Sequence, residues 1–166
     1  MQKAYTVFQG AIAAALAWLS AKLGILFPVL VLLMVMMAVD YLTGMIASKK
    51  EAIEHPEDPN MGWSSKKGAI GIFKKVGYLC VIAVAMVVDF VIVKVAVSLG
   101  YTGIPAKAMF GLLAAIWYLL NELLSIIENA GRMGAPVPQW IAKYIAVLKN
   151  KIDDSGTAHN GTGGSE

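Results

Sequence analysis

Apolar residues gather in four runs, over residues 4–23, 28–47, 77–97 and 106–127. Each run is near or above the roughly 18 residues that an α-helix needs to cross a bilayer. The break between the first two contains Gly24 and Pro28, which suits a tight helical hairpin. The runs are not uniformly oily. In the stretch from Leu119 to Pro138, "LLNELLSIIENAGRMGAPVP", five polar residues interrupt the leucines and isoleucines: Asn121, Glu122, Ser125, Glu128 and Asn129. On a helix advancing about 100° per residue these five fall inside one wedge about 120° wide. The second run does the same on a smaller scale, where "DYLTGMIAS" puts Asp40, Thr43, Gly44 and Ala47 on one face. Two helices thus offer narrow polar faces, expected to turn toward other helices or water rather than lipid.

The first run is rich in alanine and contains Gln9, so an interfacial or transiently inserted helix is an alternative to a spanning one. Its Gly10, Ala14, Ala17, Ala21 and Gly24 recur at spacings of four and three. Such a stripe lets backbones approach closely, within one chain or between subunits. Met1-Gln2-Lys3 and the alanines that follow resemble a signal peptide, but a retained first helix explains the same residues. Beyond the fourth run, Pro136 and Pro138 precede "QWIAKYIAVLKNKI", residues 139–152. Ile141, Tyr144, Ile145, Leu148 and Ile152 share one face, with Lys143 and Asn150 opposite. That is the pattern of a basic amphipathic helix lying in a membrane interface. The tail over 153–166 has no apolar content to bury and is expected to be disordered. The expected fold is an all-α integral membrane protein with about four transmembrane helices over residues 1–135, plus a C-terminal amphipathic helix over 136–152.

Composition strengthens this picture. Of 166 residues, 58% are hydrophobic and 15% charged, where soluble domains carry about 25% charged residues. The net charge of +3 is small, and the lysines stand at the ends of apolar runs. This is the distribution of topology determinants, not of a nucleic-acid footprint. The loop over 48–76 holds Lys49, Lys50, Lys66, Lys67, Lys74 and Lys75, and the last stretch adds Arg132, Lys143, Lys149 and Lys151. The opposite turns are nearly uncharged, with Lys22 and Lys107 at their margins. The positive-inside rule therefore puts the long loop and both termini in the cytoplasm.

Charge inside the runs needs an explanation, since an ionised side chain at a helix centre costs roughly 2.5–3.5 kcal/mol on insertion scales. Asp40 and Glu122 each sit a turn or two from the cytoplasmic end of their runs and should lie at similar depth. Asp89 is near the middle of the third run, with Lys94 nearer the outer side. An ion path or water-filled lumen is one reading; interhelical pairing that only fixes packing is the other. Signals for catalysis, cofactors or metals are weak. Gly68 and Gly71 lie outside any phosphate-loop pattern. Glu51, Glu54, His55 and Asp58 flank prolines in a solvated loop, and Cys80 is the only cysteine. His159 is isolated, and the acceptor pattern Asn160-Gly161-Thr162 falls on the cytoplasmic side. No catalytic, cofactor or metal residue is assigned.

Three stretches carry a resemblance: "DYLTGMIASKK" at Asp40–Lys50, "SSKKGAIGIFKKVGYL" at Ser64–Leu79 and "IWYLLNELLSIIENAGRMGAPVP" at Ile116–Pro138. They are similar to the D-x-x-T-G segment, the basic loop and the N-E-x-x-S-I-x-E-N signature of the bacteriophage holins of the toxin-secretion/phage-lysis type. Asp89 is similar to an acidic residue common in that family's third segment. The resemblance implies a small protein of the bacterial inner membrane, made late in infection and accumulating as homo-oligomers in the lipid bilayer. At a set time it permeabilises the membrane, and a cytoplasmic endolysin reaches the cell wall; some relatives are implicated in toxin release. It implies no catalytic residues. A small-hole depolarising holin or ion channel, and a non-permeabilising membrane scaffold, have the same expected topology. A transporter is disfavoured because no inverted repeat is detectable.

Overall fold

The computed structural model describes residues 2–58, 61–101 and 109–157. They form five α-helices: α1 (Gln2–Leu23), α2 (Leu26–Glu54), α3 (Ser65–Ser98), α4 (Phe110–Arg132) and α5 (Gln139–Thr157), with no strand among the described residues. The first four are long and apolar enough to cross a membrane. The protein is an all-α membrane protein.

Three helices run past the expected spans. α2 continues past residue 47 to Glu54, and α3 starts at Ser65 instead of 77, so the connection shrinks to residues 55–64. α4 continues past residue 127 to Arg132. Loss of hydropathy marks the edge of a membrane span but not the end of a helix. "SKKEAIE" is composed of good helix formers, closed by a Lys50–Glu54 pair one turn apart. Ser64 then starts α3, its hydroxyl accepting from the Lys67 amide at 3.2 Å. α5 likewise runs to Thr157, so residues 153–157 of the expected disordered tail are helical. Residues 158–166 lie outside the described residues, as do 106–108 at the expected start of the fourth span and Lys107 among them.

Glycines mark three of the helix ends. Gly24, at φ 53°, turns α1 into α2. Gly100 and Gly134 sit just past the ends of α3 and α4 at φ 84° and 88°. There the amides of Tyr101 and Ala135 reach back to the carbonyls of Ala96 and Ala130, at 3.0 Å each. This arrangement satisfies carbonyls that a helix end leaves open.

α4 is the central element, packed against α2, α3 and α5, whereas α2 and α3 scarcely touch and α1 contacts only α2. The stripe of small residues on α1 is exposed, and a Cβ at Gly10 would meet nothing. Among the described residues, then, the stripe is not a packing seam. The core is Leu26, Leu33, Met37, Tyr78, Ile82 and Ala115, with Tyr78 stacked on Tyr118 at 4.0 Å. Buried positions recur every seven residues. One such series per helix comprises Leu26, Leu33 and Ala47 on α2, Gly68, Ile82, Asp89 and Ala96 on α3, and Ala115, Glu122 and Asn129 on α4, with Met37, Tyr78, Gly111 and Leu120 buried beside them. Asp40 and Lys75 occupy the vacant steps of the first two series. A seven-residue repeat keeps one seam facing the neighbouring helix over many turns.

α4 begins short of the end of α3. Its first amides, Phe110 N–H and Gly111 N–H, donate to the two carboxylate oxygens of Asp89 at 2.9 and 2.8 Å. Asp89 stands nine residues, or about 13 Å, below the C-terminus of α3. A carboxylate from one helix therefore caps the next, where the unsatisfied amides and the positive end of the helix dipole both favour an anion. Gly111 makes room: a Cβ there would lie 2.8 Å from Met86 Cγ and 3.4 Å from the Asp89 carboxylate. Removing the cap in Asp89→Ala should destabilise the bundle by about 3–6 kcal/mol, the scale of two charge-assisted hydrogen bonds. Asp89→Asn, which keeps one acceptor, should cost less than half as much. Unfolding in detergent followed by circular dichroism measures both, and equal stability of all three chains would remove the cap from the account.

Candidate functional site

Where the seven-residue seams of α2, α3 and α4 meet, three of their positions are charged. Lys75 Nζ of α3 donates to Asp40 Oδ2 of α2 at 2.9 Å and to Glu122 Oε2 of α4. The side chains are 15%, 16% and 4% exposed respectively. The one ammonium gives both carboxylates a charged hydrogen-bond donor inside an apolar bundle, and the layer keeps one net negative charge. The layer lies 14 residues from the start of α2 and 12 from that of α4, so about 20 Å of helix separates it from the capped end of α4.

The second polar contact is built on Gly44. Its missing side chain admits Asn129, whose Nδ2 would stand 3.4 Å from a Cβ at that position. Asn129 Nδ2 donates to Asp40 Oδ1 at 3.1 Å, to Thr43 Oγ1 at 3.2 Å and to the Asp40 carbonyl at 3.4 Å. Thr43 in turn donates to the Asp40 carbonyl at 3.0 Å. One turn further, Arg132 clamps Glu51 with two bonds of 2.7 Å and donates to Asn129 Oδ1 at 2.9 Å. A continuous polar ladder thus runs from Glu122 through Lys75, Asp40 and Asn129 to Arg132 and Glu51.

The remaining wedge residues divide. Asn121 Oδ1 accepts from Lys149 of α5 at 2.7 Å, and the same ammonium lies 4.6 Å from the centre of the Trp117 ring. Among the described residues the buried Trp117 ring nitrogen has no hydrogen-bond partner. Ser125 and Glu128 line a cavity of about 400 Å³ between α3, α4 and α5, whose floor is Asp40, Lys75 and Glu122. Glu128 itself is exposed.

Of the sequence-derived residues, Asp40, Thr43, Gly44, Glu122 and Asn129 come together; Asn121, Ser125 and Glu128 surround them. Asp89 does not join them, because it is engaged as the cap of α4. Among the lysines read as topology determinants, Lys75 has a second role as the counter-ion of the layer, and Lys74 stands 5.9 Å from the Tyr78 ring. Lys49 and Lys66 are exposed, Lys50 pairs with Glu54, and Lys67 reaches the Gly62 carbonyl at 3.2 Å. Of the apolar face expected on α5, Ile141, Ile145 and Ile152 are half-buried on the side that packs against α4, whereas Tyr144 and Leu148 are exposed. The sequence reading named Lys75 and Arg132 only as topology determinants and missed their pairing with Asp40, Glu122 and Glu51, as well as the Lys149–Trp117 contact. Lys75 carried a readable signal, since it stands seven residues before Ile82 and fourteen before Asp89 on one face. No group of His, Cys, Asp and Glu that would hold a metal occurs among the described residues.

Comparison with known proteins points in one direction. Residues 17–150 match the model of the bacteriophage holin family. An uncharacterised protein of Halalkalibacterium halodurans is 36% identical over 138 residues, covering 83% of this chain and 88% of the relative. One of Listeria innocua is 30% identical over 151 residues, covering 89% and 88%. A 14.9 kDa protein from the nagH 3′ region of Clostridium perfringens is 31% identical over 122 residues, covering 74% and 77%. No solved structure matches.

The charged layer makes a direct prediction. Lys75→Met strands two carboxylates and should destabilise the bundle by about 3–5 kcal/mol, the usual cost of breaking a buried pair from one side. Adding Asp40→Asn and Glu122→Gln to the same chain should recover most of that loss. Thermal unfolding in detergent reads the difference, and a triple variant no more stable than Lys75→Met would sink the idea.

Proposed function

Because the chain belongs to the bacteriophage holin family, we propose that it permeabilises the bacterial inner membrane to release an endolysin, or a toxin, after accumulating as homo-oligomers. The long loop and both termini face the cytoplasm in this reading, following the lysine distribution. The observation that carries it is the polar ladder that links α2, α3 and α4. Its members, Asp40, Thr43, Lys75, Glu122 and Asn129, bond to one another across helices otherwise apolar. Polar groups closed on themselves in one arrangement become the lining of a water-filled path when the helices rotate or separate. Ser125, Glu128 and Asn121 flank the ladder and extend that lining. The layer's charges also couple it to the membrane potential, at about 2.3 kcal/mol per charge per 100 mV. A collapse of the potential would then bias the change.

A second reading has its own support. α1 is packed only against α2, and its candidate span buries none of its residues. A helix so loosely held suits a small-hole protein that depolarises the membrane without passing folded proteins, if α1 leaves the bilayer.

The two separate in one experiment. Inducible expression in a bacterial host, with a cytosolic enzyme as reporter, should give abrupt release of folded enzyme after a delay. Depolarisation with the enzyme retained would favour the small-hole reading. Neither event, with the protein demonstrably in the membrane, would leave a membrane scaffold as the better account. Asp40→Asn and Glu122→Gln, at matched membrane levels, should shift the onset of release. Wild-type timing in both would remove the ladder from the mechanism.

A further inference from the structure

α5 has two apolar sides, and the bundle uses one. Ile141, Ala142, Ile145, Ala146 and Ile152 are half-buried, and Lys149 on the same side is held by Asn121 and Trp117. On the adjoining side Trp140, Tyr144, Val147 and Leu148 are 64%, 68%, 45% and 49% exposed. Their spacing gathers them within about 100° of the helix surface. Trp140 and Tyr144 meet edge to face with centroids 6.4 Å apart, so they form one aromatic ledge. Lys143 and Lys151, both exposed, border this face or lie within it.

Several observations select the occupant. Trp and Tyr concentrate at headgroup level, where the ring is apolar and its polar edge stays wet. Lysines beside such a face attract anionic lipid, at about 1 kcal/mol each. The helix is also tethered: it follows α4 after a turn of residues 133–138, and Lys149 ties it back to Trp117 of that spanning helix. We propose that the Trp140, Tyr144, Val147 and Leu148 face of α5 docks into the headgroup region of the anionic leaflet at the lysine-rich end of the bundle. α5 is then an interfacial strap, with lipid on one side and α4 on the other. This rests on the membrane embedding of the bundle and not on any permeabilising activity.

The test uses the full chain reconstituted in vesicles of three parts phosphatidylethanolamine to one part phosphatidylglycerol, with lipids brominated just below the headgroup. The difference in emission between the wild-type chain and Trp140→Phe isolates Trp140 without disturbing Trp117. That difference spectrum should be blue-shifted and quenched by the brominated lipid. The quenching should be unchanged on tenfold dilution of protein in lipid. It should fall by about half when phosphatidylcholine replaces phosphatidylglycerol, or in Lys143→Gln/Lys151→Gln, because the electrostatic share is lost. Emission that is water-like, quenched by acrylamide and untouched by brominated lipid would overturn the proposal. So would quenching that disappears on dilution, which would assign the face to a second copy of the chain. Both readings are independent of leakage.

Discussion

An ion removed from water must find its counter-ion, and in this protein that requirement sets how three helices sit against one another. α2 and α3 have almost no direct packing, yet Asp40 and Lys75 hold them at one height, and Glu122 brings α4 to the same level. Sliding any of the three by one turn would separate a charge from its partner in surroundings of low dielectric, where an unpaired charge costs several kcal/mol. Apolar contacts are far more tolerant, since one leucine replaces another with little change. The ion layer therefore specifies the register, while the packing of Leu33, Met37, Ile82 and Ala115 supplies adhesion.

A second pin lies about 20 Å away along the bundle, where Asp89 holds the first amides of α4. The apolar core occupies the distance between the two polar layers. Both layers act on α4, which packs against α2, α3 and α5. It is fixed at its start by α3 and at its middle by α2 and α3 together. Its far end is held by Arg132 on Glu51, and α5 returns along its flank to reach Asn121 near its middle. α1 takes no part in this framework, and its large side chains, Tyr5, Phe8 and Trp18 among them, remain exposed. The framework and the free helix divide the chain into a part whose polar groups are closed on one another and a part held by little but the hairpin at Gly24.

Much of this was legible in the residues. Run lengths and turn glycines located four long helices and the hairpin, because bilayer thickness and helix-ending conformations are local constraints that local sequence must satisfy. The polar wedge at Asn121–Asn129 and the face at Asp40–Gly44 were likewise visible, since residues three and four apart share a side of any helix. Helix ends were less legible. Hydropathy reports where lipid stops, and it says nothing of whether the backbone turns helical further on, as it does through Ser48–Glu54 and Ser65–Val76.

Partnership was the part that local reading did not reach. Lys75 looks like one more lysine beside a membrane span, and Asp89 like one more intramembrane acid. Only the approach of helices 35 and 47 residues apart makes the first the counter-ion of Asp40 and Glu122. Only the start of α4 beside α3 makes the second a cap. The tertiary structure also decided which side of α5 is used, turning its isoleucines to α4 and leaving Trp140 and Tyr144 outside. A single helix presents all its faces alike, so the sequence by itself determined that polar groups would need partners, and the packing of α4 among its neighbours decided which ones they are.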